Sequence, residues 1–194
     1  MTQPSLLSRP ALRKNLLALR RNTAPTMRQQ WDSAIADNLL RWCSQYRPAS
    51  LGLFWPIQAE PDLREIYPEL QKMGIQLALP LVQAKQQPLL FLEWQSGDAM
   101  DKDEYGIPVP QQRERSLIPQ VLLIPCVGYN RDKFRMGYGG GYYDRTLAKQ
   151  PRPLALGIAY AQAQADFAAE AHDIAMDEIL TENGKLKREL LKTL

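Results

Sequence analysis

Two short apolar segments on either side of a helical one constrain the fold of this chain more than any other feature. Residues 51–55 and 75–82 have the composition of buried strands, whereas 61–73 favours a helix that Gly74 closes. A strand, a helix and a second strand in this order are typical of a parallel sheet with crossover helices. The sequence therefore predicts an α/β fold.

The later segments continue the alternation. Further strands are predicted at 88–95, 121–127, 154–160 and 175–180. Helices are predicted over 142–149, 163–171 and 185–194, and the polar stretch 97–112 is predicted to be a long loop. Without repeats or a dividing linker, we expect one domain over 1–194, comprising basic N-terminal helices (9–47), an α/β core (50–184) and a short C-terminal helix (185–194).

The first of the N-terminal helices is predicted over 9–22. Leu12, Leu16 and Leu19 recur at the spacing of one helix face, and Ser8 is a plausible cap. A second helix, with Thr26 as its expected cap, ends before Pro48, and its apolar stripe is typical of core packing.

The N-terminal arm is strongly basic. Residues 1–47 contain seven Arg and one Lys against two Asp, a formal charge of +6, while the whole chain carries only +3. Arg9, Arg13 and Arg20 share one helix face. Such a charge suits nucleic acid, a membrane surface or a phosphorylated small molecule, and it also suits a solvated helix face.

Several classes of protein are disfavoured by composition. Cys43 and Cys126 form no metal-binding spacing and His172 is the only histidine, so structural zinc is not expected. His172 is expected to be structural. No signal peptide and no apolar run of membrane-spanning length is visible, which predicts a cytoplasmic protein.

A glycine-rich segment carries most of the functional signal. Gly137, Gly139, Gly140 and Gly141 lie between a predicted strand and a predicted helix. Glycines permit close backbone approach, and successive N–H groups at the start of a helix can bind an anion. A structural turn and a phosphate-binding loop are about equally supported on these grounds.

The residues beside this segment suit phosphate chemistry. Arg135 and Arg145 could add bidentate phosphate contacts, and Asp144 could hold a divalent cation. The spacing matches neither the P-loop pattern nor the dinucleotide-binding GxGxxG pattern.

The string Arg135-Met-Gly-Tyr-Gly-Gly-Gly-Tyr-Tyr-Asp-Arg145 resembles the signature of the 5-formyltetrahydrofolate cyclo-ligases. Four other segments resemble that family in the same order. They are Arg9-x-x-Leu12-Arg13, Phe54 to Glu60, Tyr105-Gly-Ile-Pro108, and His172-Asp173 with Asp177-Glu178 and Thr181.

The resemblance implies a fold and a reaction. The fold is a three-layer α/β/α sandwich of the NagB/RpiA/CoA-transferase type with a mostly parallel sheet. The reaction converts ATP and 5-formyltetrahydrofolate to 5,10-methenyltetrahydrofolate, ADP and phosphate with Mg²⁺. A monomer whose partners are small molecules, without nucleic acid or membrane, is expected.

The resemblance also implies roles for individual residues. The expected catalytic residues are Arg13, Arg135 and Tyr143, and the expected metal ligands are Asp144 and Asp177. ATP is expected to contact Arg9, Pro10, Ala11, Leu12, Arg13, Arg135, Met136, Gly137, Tyr138, Gly139, Gly140, Gly141, Tyr142 and Tyr143. The folate is expected to contact Trp55, Glu60, Tyr138, Gly139, Gly140, Gly141 and Tyr142.

Two positions depart from the family pattern. Lysine is usual where Arg9 stands, so the charge persists with different geometry. Glycine is usual where Lys133 stands, which predicts a turn of another shape. Two alternatives remain open: a non-catalytic binder of folate or nucleotide, and a nucleic-acid-binding protein that uses the basic arm, although no RNP, HTH or KH motif is present.

Overall fold

The apolar segments in the middle of the chain form the strands of one sheet. The computed structural model describes residues 7–186. Its helices are α1 (Arg9–Asn22), α2 (Pro25–Tyr46), α3 (Tyr67–Lys72) and α4 (Tyr142–Leu147), with 3-10 turns at Arg64–Ile66 and Ala161–Ala163. Its strands are β1 (Ser50–Gly52), β2 (Gln76–Leu81), β3 (Leu90–Trp94), β4 (Met100–Lys102), β5 (Pro108–Pro110), β6 (Val121–Pro125), β7 (Gly128–Tyr129), β8 (Arg135–Met136), β9 (Leu154–Ile158), β10 (Glu178–Thr181) and β11 (Gly184–Lys185).

The main sheet has seven strands in the order β11-β10-β9-β6-β1-β2-β3. The inner pairs, from β2 through β1, β6 and β9 to β10, are all parallel. Only the outermost strands β3 and β11 pair antiparallel with their neighbours. The predicted mostly parallel sheet is confirmed.

Helices cover both faces of the sheet, as a three-layer sandwich requires. On one face, α2 and α3 bury Leu39 and Tyr67 in the same cluster as Leu51 and Leu123 of the strands. On the other face, Leu147 of α4 joins a second cluster of buried strand residues. The predicted fold class is therefore confirmed.

The outer edge of β3 is covered by the segment that leads into β6. The Glu93 N–H donates to the Arg115 carbonyl (2.9 Å), and the Leu117 N–H donates to the Phe91 carbonyl (3.0 Å). These bonds use backbone groups that an edge strand would otherwise present to another chain.

The N-terminal helices follow the prediction closely. α1 has the predicted bounds, and Ser8 Oγ accepts a hydrogen bond from the Ala11 N–H (3.4 Å). α2 ends before Pro48 as expected, but Thr26 is not its cap. The helix begins at Pro25, whose fixed φ suits the first helical position.

The predicted loop over 97–112 is wrong, because it contains the β4–β5 hairpin. Asp103 shapes its turn, since its Oδ1 accepts hydrogen bonds from the N–H groups of Tyr105 and Ile107 (2.8 Å each). The strand β4 and the turn are polar and mostly exposed, and the buried Val109 of β5 lies between two prolines, so no hydrophobic alternation revealed the strands.

The predicted helix over 163–171 is also wrong. Only the turn Ala161–Ala163 is helical, and the following backbone bonds to other segments instead. The Ala165 N–H donates to the Tyr129 carbonyl (2.9 Å), and Asn130 Nδ2 donates to the Phe167 carbonyl (3.0 Å). These long-range partners override a local helical preference.

The predicted C-terminal helix over 185–194 is wrong at its start, because Gly184–Lys185 is a strand, and 187–194 lie outside the described residues. Within the part of the chain that the structure describes, no helix is both long enough and apolar enough to span a bilayer.

The close packing around β1 gives a prediction about stability. A Cβ at Gly52 would lie 2.5 Å from Leu122 Cδ2 and 2.7 Å from Phe91 Cε1. We expect Gly52→Ala to lower the free energy of unfolding by about 1–3 kcal/mol, as overpacking does. Urea denaturation of this variant measures the loss. The control is Gly137→Ala, where a Cβ would have open space, and equal losses in the two variants would contradict the explanation.

Candidate active site

The basic face of α1 points into the molecule. Arg9 Nη1 donates to Asp173 Oδ2 (2.8 Å) and to the Ala168 carbonyl (3.0 Å). Arg13 Nε donates to the Gly137 carbonyl (2.7 Å), and Arg20 Nη2 donates to the Tyr138 hydroxyl (2.6 Å). The three arginines that share a helix face therefore meet the 168–173 segment and the glycine-rich segment.

The segment Gly137–Gly141, which we call the glycine loop, joins β8 to α4. Gly139 (φ 95°) and Gly141 (φ 64°) adopt the left-handed conformation, whereas the middle glycine, Gly140, does not. The first and last of the three consecutive glycines are thus required by the backbone itself. The Arg145 guanidinium folds back onto the loop and donates to the Gly140 carbonyl.

The helix after the glycine loop is shorter than predicted. α4 ends at Leu147 instead of Lys149 and has six residues. Its contribution to anion binding through the helix dipole is correspondingly small. Any phosphate here would depend on the loop N–H groups and the arginines around them.

Arg135 is buried beside the loop and pairs with Asp144. Its Nη1 and Nη2 donate to the two carboxylate oxygens (3.1 and 2.9 Å), and its guanidinium lies 5.7 Å from the Tyr143 ring centroid. Burial raises the pKa of the Tyr143 hydroxyl well above its usual value. Tyr143 is therefore a neutral hydroxyl at physiological pH.

Glu60 is 4 % exposed and sits on a strained turn. Gln58 (φ 47°) and Ala59 (φ 60°) immediately before it are left-handed residues other than glycine. Such strain often accompanies functional positions. The turn is closed by the Ile57 N–H, which donates to Glu60 Oε2 (2.9 Å).

The other carboxylate oxygen of Glu60 faces the glycine loop. The Tyr138 hydroxyl donates to Glu60 Oε1 (2.8 Å). Burial raises the pKa of Glu60, while the hydrogen bonds from Ile57 and Tyr138 and the charge of Arg20 oppose the rise. Glu60 also borders a cleft of about 280 Å³ between the start of α2 and the 56–64 segment.

Trp55 lies next to this turn but contacts other groups. Its ring meets Trp94 edge to face, with centroids 6.4 Å apart, and the Arg64 guanidinium lies 5.2 Å from the centroid of the Trp55 ring.

The β4–β5 hairpin also reaches the residues that follow the glycine loop. The hydroxyl of Tyr105, in the turn of the hairpin, lies 2.8 Å from the hydroxyl of Tyr142.

Asp144 and Asp177, the predicted metal ligands, are each paired with an arginine. Arg135 occupies both oxygens of Asp144, and Arg152 Nη1 donates to both oxygens of Asp177 (3.1 and 2.9 Å). The Ala155 N–H also donates to Asp177 (2.7 Å). Carboxylate oxygens suit Mg²⁺, but a cation bound here would lie beside the positive charge of an arginine, so we expect each arginine to change partner when the metal binds.

A cluster of two acids and a histidine was not anticipated from the sequence. Carboxylate and imidazole atoms of Glu170, His172 and Asp173 lie within 4.8 Å of one another. Arg9 pairs with both acids of this cluster. The His172 side chain, expected to be structural, is 71 % exposed and lies 3.5 Å from Glu170.

The turn at Lys133 has an unusual backbone conformation for a lysine. Lys133 adopts a left-handed φ of 65°, which is the conformation that a glycine at this position favours. Its Nζ donates to the Asp177 carbonyl (2.6 Å). A lysine here holds a conformation that a glycine adopts with less strain, and the predicted difference in turn shape from the family stays a prediction.

Comparisons with known proteins show the family of this chain. The model of the 5-formyltetrahydrofolate cyclo-ligase family matches residues 6–182. The curated 5-formyltetrahydrofolate cyclo-ligase of Mycoplasma pneumoniae is 28% identical over 91% of this chain and 99% of its own length.

Two solved structures are also similar. The 5,10-methenyltetrahydrofolate synthetase of Aquifex aeolicus has a TM-score of 0.82 and 26% identity, over 97% of this chain and 96% of that one. The corresponding synthetase of Mycoplasma pneumoniae has a TM-score of 0.76 and 25% identity, over 91% of this chain and 99% of that one. The chain thus belongs to the 5-formyltetrahydrofolate cyclo-ligase family.

Proposed function

We propose that this enzyme uses ATP to convert 5-formyltetrahydrofolate to 5,10-methenyltetrahydrofolate, with release of ADP and phosphate. One observation carries the proposal. The glycine loop contacts the basic helix through Arg13 and the buried carboxylate Glu60 through Tyr138. A phosphate-binding segment and a buried acceptor for ring N–H groups thus lie side by side, as the reaction requires.

The chemistry explains why both are needed. A formamide is a poor electrophile, so its oxygen first attacks the γ-phosphorus of ATP and the bond from that phosphorus to ADP breaks. N10 of the folate then bonds to the activated formyl carbon and loses its proton to solvent. Cleavage of the carbon–oxygen bond releases phosphate. The protein mainly neutralises charge and positions the reactants.

The ATP site is proposed to include 9–13 of α1 and 135–143 of β8, the glycine loop and α4. Arg13 uses its Nε on the Gly137 carbonyl, which leaves its two Nη groups for phosphate oxygens. Arg135 and Tyr143 flank the glycine loop in the chain and contact each other. Arg9 is already paired with Asp173, so it would reach ATP only by exchanging that partner.

The folate site is proposed to centre on Glu60, with Trp55 and 138–142 around it. Each oxygen of Glu60 already accepts one hydrogen bond from the protein. A carboxylate oxygen can accept a second, so Glu60 can still receive two pterin N–H groups. Its burial makes those bonds strong, because water competes poorly there.

The proposal includes Mg²⁺ bound to ATP, where it would supply positive charge to the phosphates. Asp144 and Asp177 are proposed as its protein ligands after exchange of their arginines. We also propose a cytoplasmic monomer. The arginines of α1 support small-molecule partners over nucleic acid, since Arg9, Arg13 and Arg20 bind within the protein.

A direct assay tests the reaction. The purified protein is incubated with ATP, Mg²⁺ and 5-formyltetrahydrofolate, and the near-ultraviolet absorbance of the methenyl product is followed while ADP is quantified. One ADP per methenyl product is expected, with none formed when either substrate is omitted. Tight binding of both substrates without turnover would instead identify a non-catalytic binder.

Glu60→Gln is expected to weaken folate binding by about 1–3 kcal/mol, because the amide turns one acceptor into a donor in a buried site. ATP affinity should change little. Calorimetry with each ligand separately measures both effects. Glu65→Gln, an exposed change in the same segment, is the control. An equal loss for the two ligands would show that Glu60 is structural.

Gly140→Val is expected to abolish ATP binding with little loss of secondary structure. A Cβ here would lie 2.8 Å from the Tyr142 ring, so the valine must displace that ring and narrow the loop. Calorimetry with ATP and a thermal melt of the same variant test this expectation. A collapsed melting temperature, or ATP binding that survives, would exclude the phosphate-binding role.

Asp144→Asn is expected to destabilise the protein by about 3–5 kcal/mol, since it leaves the Arg135 guanidinium buried without its counter-charge. Asp177→Asn should cost no more than about 1 kcal/mol, because its pair with Arg152 is partly exposed. Urea denaturation measures both losses. If the stable Asp177→Asn enzyme loses activity that added Mg²⁺ restores, Asp177 is a metal ligand, and full activity at low Mg²⁺ would reject that role.

A further inference from the structure

Arg20 is a buried cation that the reaction described above does not use. Its side chain belongs to a residue 5 % exposed, and its Nη2 donates to the Tyr138 hydroxyl at 2.6 Å. The same hydroxyl donates its own proton to Glu60 Oε1 at 2.8 Å. Arg20, Tyr138 and Glu60 therefore form a continuous hydrogen-bonded chain, which leads from α1 to the carboxylate at the centre of the proposed folate site.

The Arg20 guanidinium lies 5.9 Å from the Tyr138 ring centroid, but two of its nitrogens lack a hydrogen bond within the described residues. Its Nε and Nη1 atoms are buried without a hydrogen bond to any residue in the described range 7–186. Burying a charge with so few hydrogen bonds is costly, and a guanidinium kept only for structure is normally paired. The spacing of the arginines predicts that Arg20 shares a helix face with Arg9 and Arg13, but the sequence indicates no role for it.

Arg20 supplies the positive charge near Glu60, since the other groups around this carboxylate are neutral. Tyr138 of the glycine loop, Tyr143 of α4, Tyr67 of α3 and Cys126 after β6 all interact with this carboxylate. Burial raises the pKa of each of these groups, that of Cys126 to about 12, so they are neutral at physiological pH. The charge that lowers the pKa of Glu60 is that of Arg20.

We propose that Arg20 is a positioning residue of the folate site, which acts through the Tyr138 hydroxyl to hold Glu60 ionised and correctly oriented. The inference rests on the proposed function, in which an ionised Glu60 accepts pterin N–H groups. Burial alone would favour the protonated carboxyl, which offers one donor where the ligand also brings donors. The hydrogen bonds from Ile57 and Tyr138 and the charge of Arg20 oppose that preference.

The ionisation of Glu60 can be measured without any substrate. Protein labelled with ¹³C at glutamate carboxyl carbons is titrated by NMR, and the Glu60 signal is assigned by its loss in Glu60→Gln. Arg20→Met should raise the pKa of Glu60 by about 1–3 pH units, the usual influence of a nearby opposite charge. Arg20→Lys should restore most of the wild-type value. Arg21→Met, an exposed change on the same helix, should leave it unchanged.

Folate binding supplies the second readout. A carboxyl with a raised pKa loses its charge as the pH falls through that pKa, so affinity for 5-formyltetrahydrofolate in Arg20→Met should fall at a higher pH than in the wild type. At a pH well above the shifted pKa, the affinity should return to within a few-fold of wild type. A merely structural arginine would lower the affinity by the same factor at every pH.

The outcomes separate this inference from the proposed function. An unchanged Glu60 pKa in Arg20→Met, or a pH-independent loss of affinity, would overturn it. If Arg20→Met fails to fold, Arg20→Gln and Arg20→Lys decide, because only the neutral Arg20→Gln should raise the pKa of Glu60. If the wild type does not bind 5-formyltetrahydrofolate, the proposed function fails while the NMR titration still tests the chain from Arg20 to Glu60.

Discussion

The parallel pairing of β1, β6 and β9 is the constraint on which the site depends. Neighbouring parallel strands end at the same edge of the sheet, so the segments that follow them must meet there. The turn that carries Glu60 follows β1, and the segment that leads to the glycine loop follows β6. Residues nearly 80 positions apart thus come within hydrogen-bond distance, as Tyr138 and Glu60 do.

The helix α1 completes the site from outside the sheet. Its apolar face packs through Leu16 against Val127 and Met136, next to the glycine loop. This packing fixes the rotation of the helix, so Arg13 and Arg20 point at the loop instead of at solvent. Part of the positive charge of the N-terminal arm therefore lies inside the domain.

Sequence patterns predicted the elements that depend on local periodicity. The bounds of α1 and the parallel strands follow from apolar spacing, and the glycine loop follows from its composition. The β4–β5 hairpin was missed because β4 and the turn are polar and exposed. The non-helical 163–171 segment was missed because hydrogen bonds to distant residues fix its backbone. The partners of buried charges, such as Arg135 with Asp144 and Arg20 with Tyr138, could not be read from spacing at all.

The covered edge of β3 has a consequence for how copies of this protein behave in concentrated solution. Exposed strand edges nucleate edge-to-edge association and fibre growth. Here Arg115 and Leu117 already hydrogen-bond to that edge, and within residues 7–186 the opposite side of the sheet ends in the two-residue strand Gly184–Lys185. A sheet bounded in this way offers little template for another chain, so crowding should not readily convert its seven strands into a growing assembly.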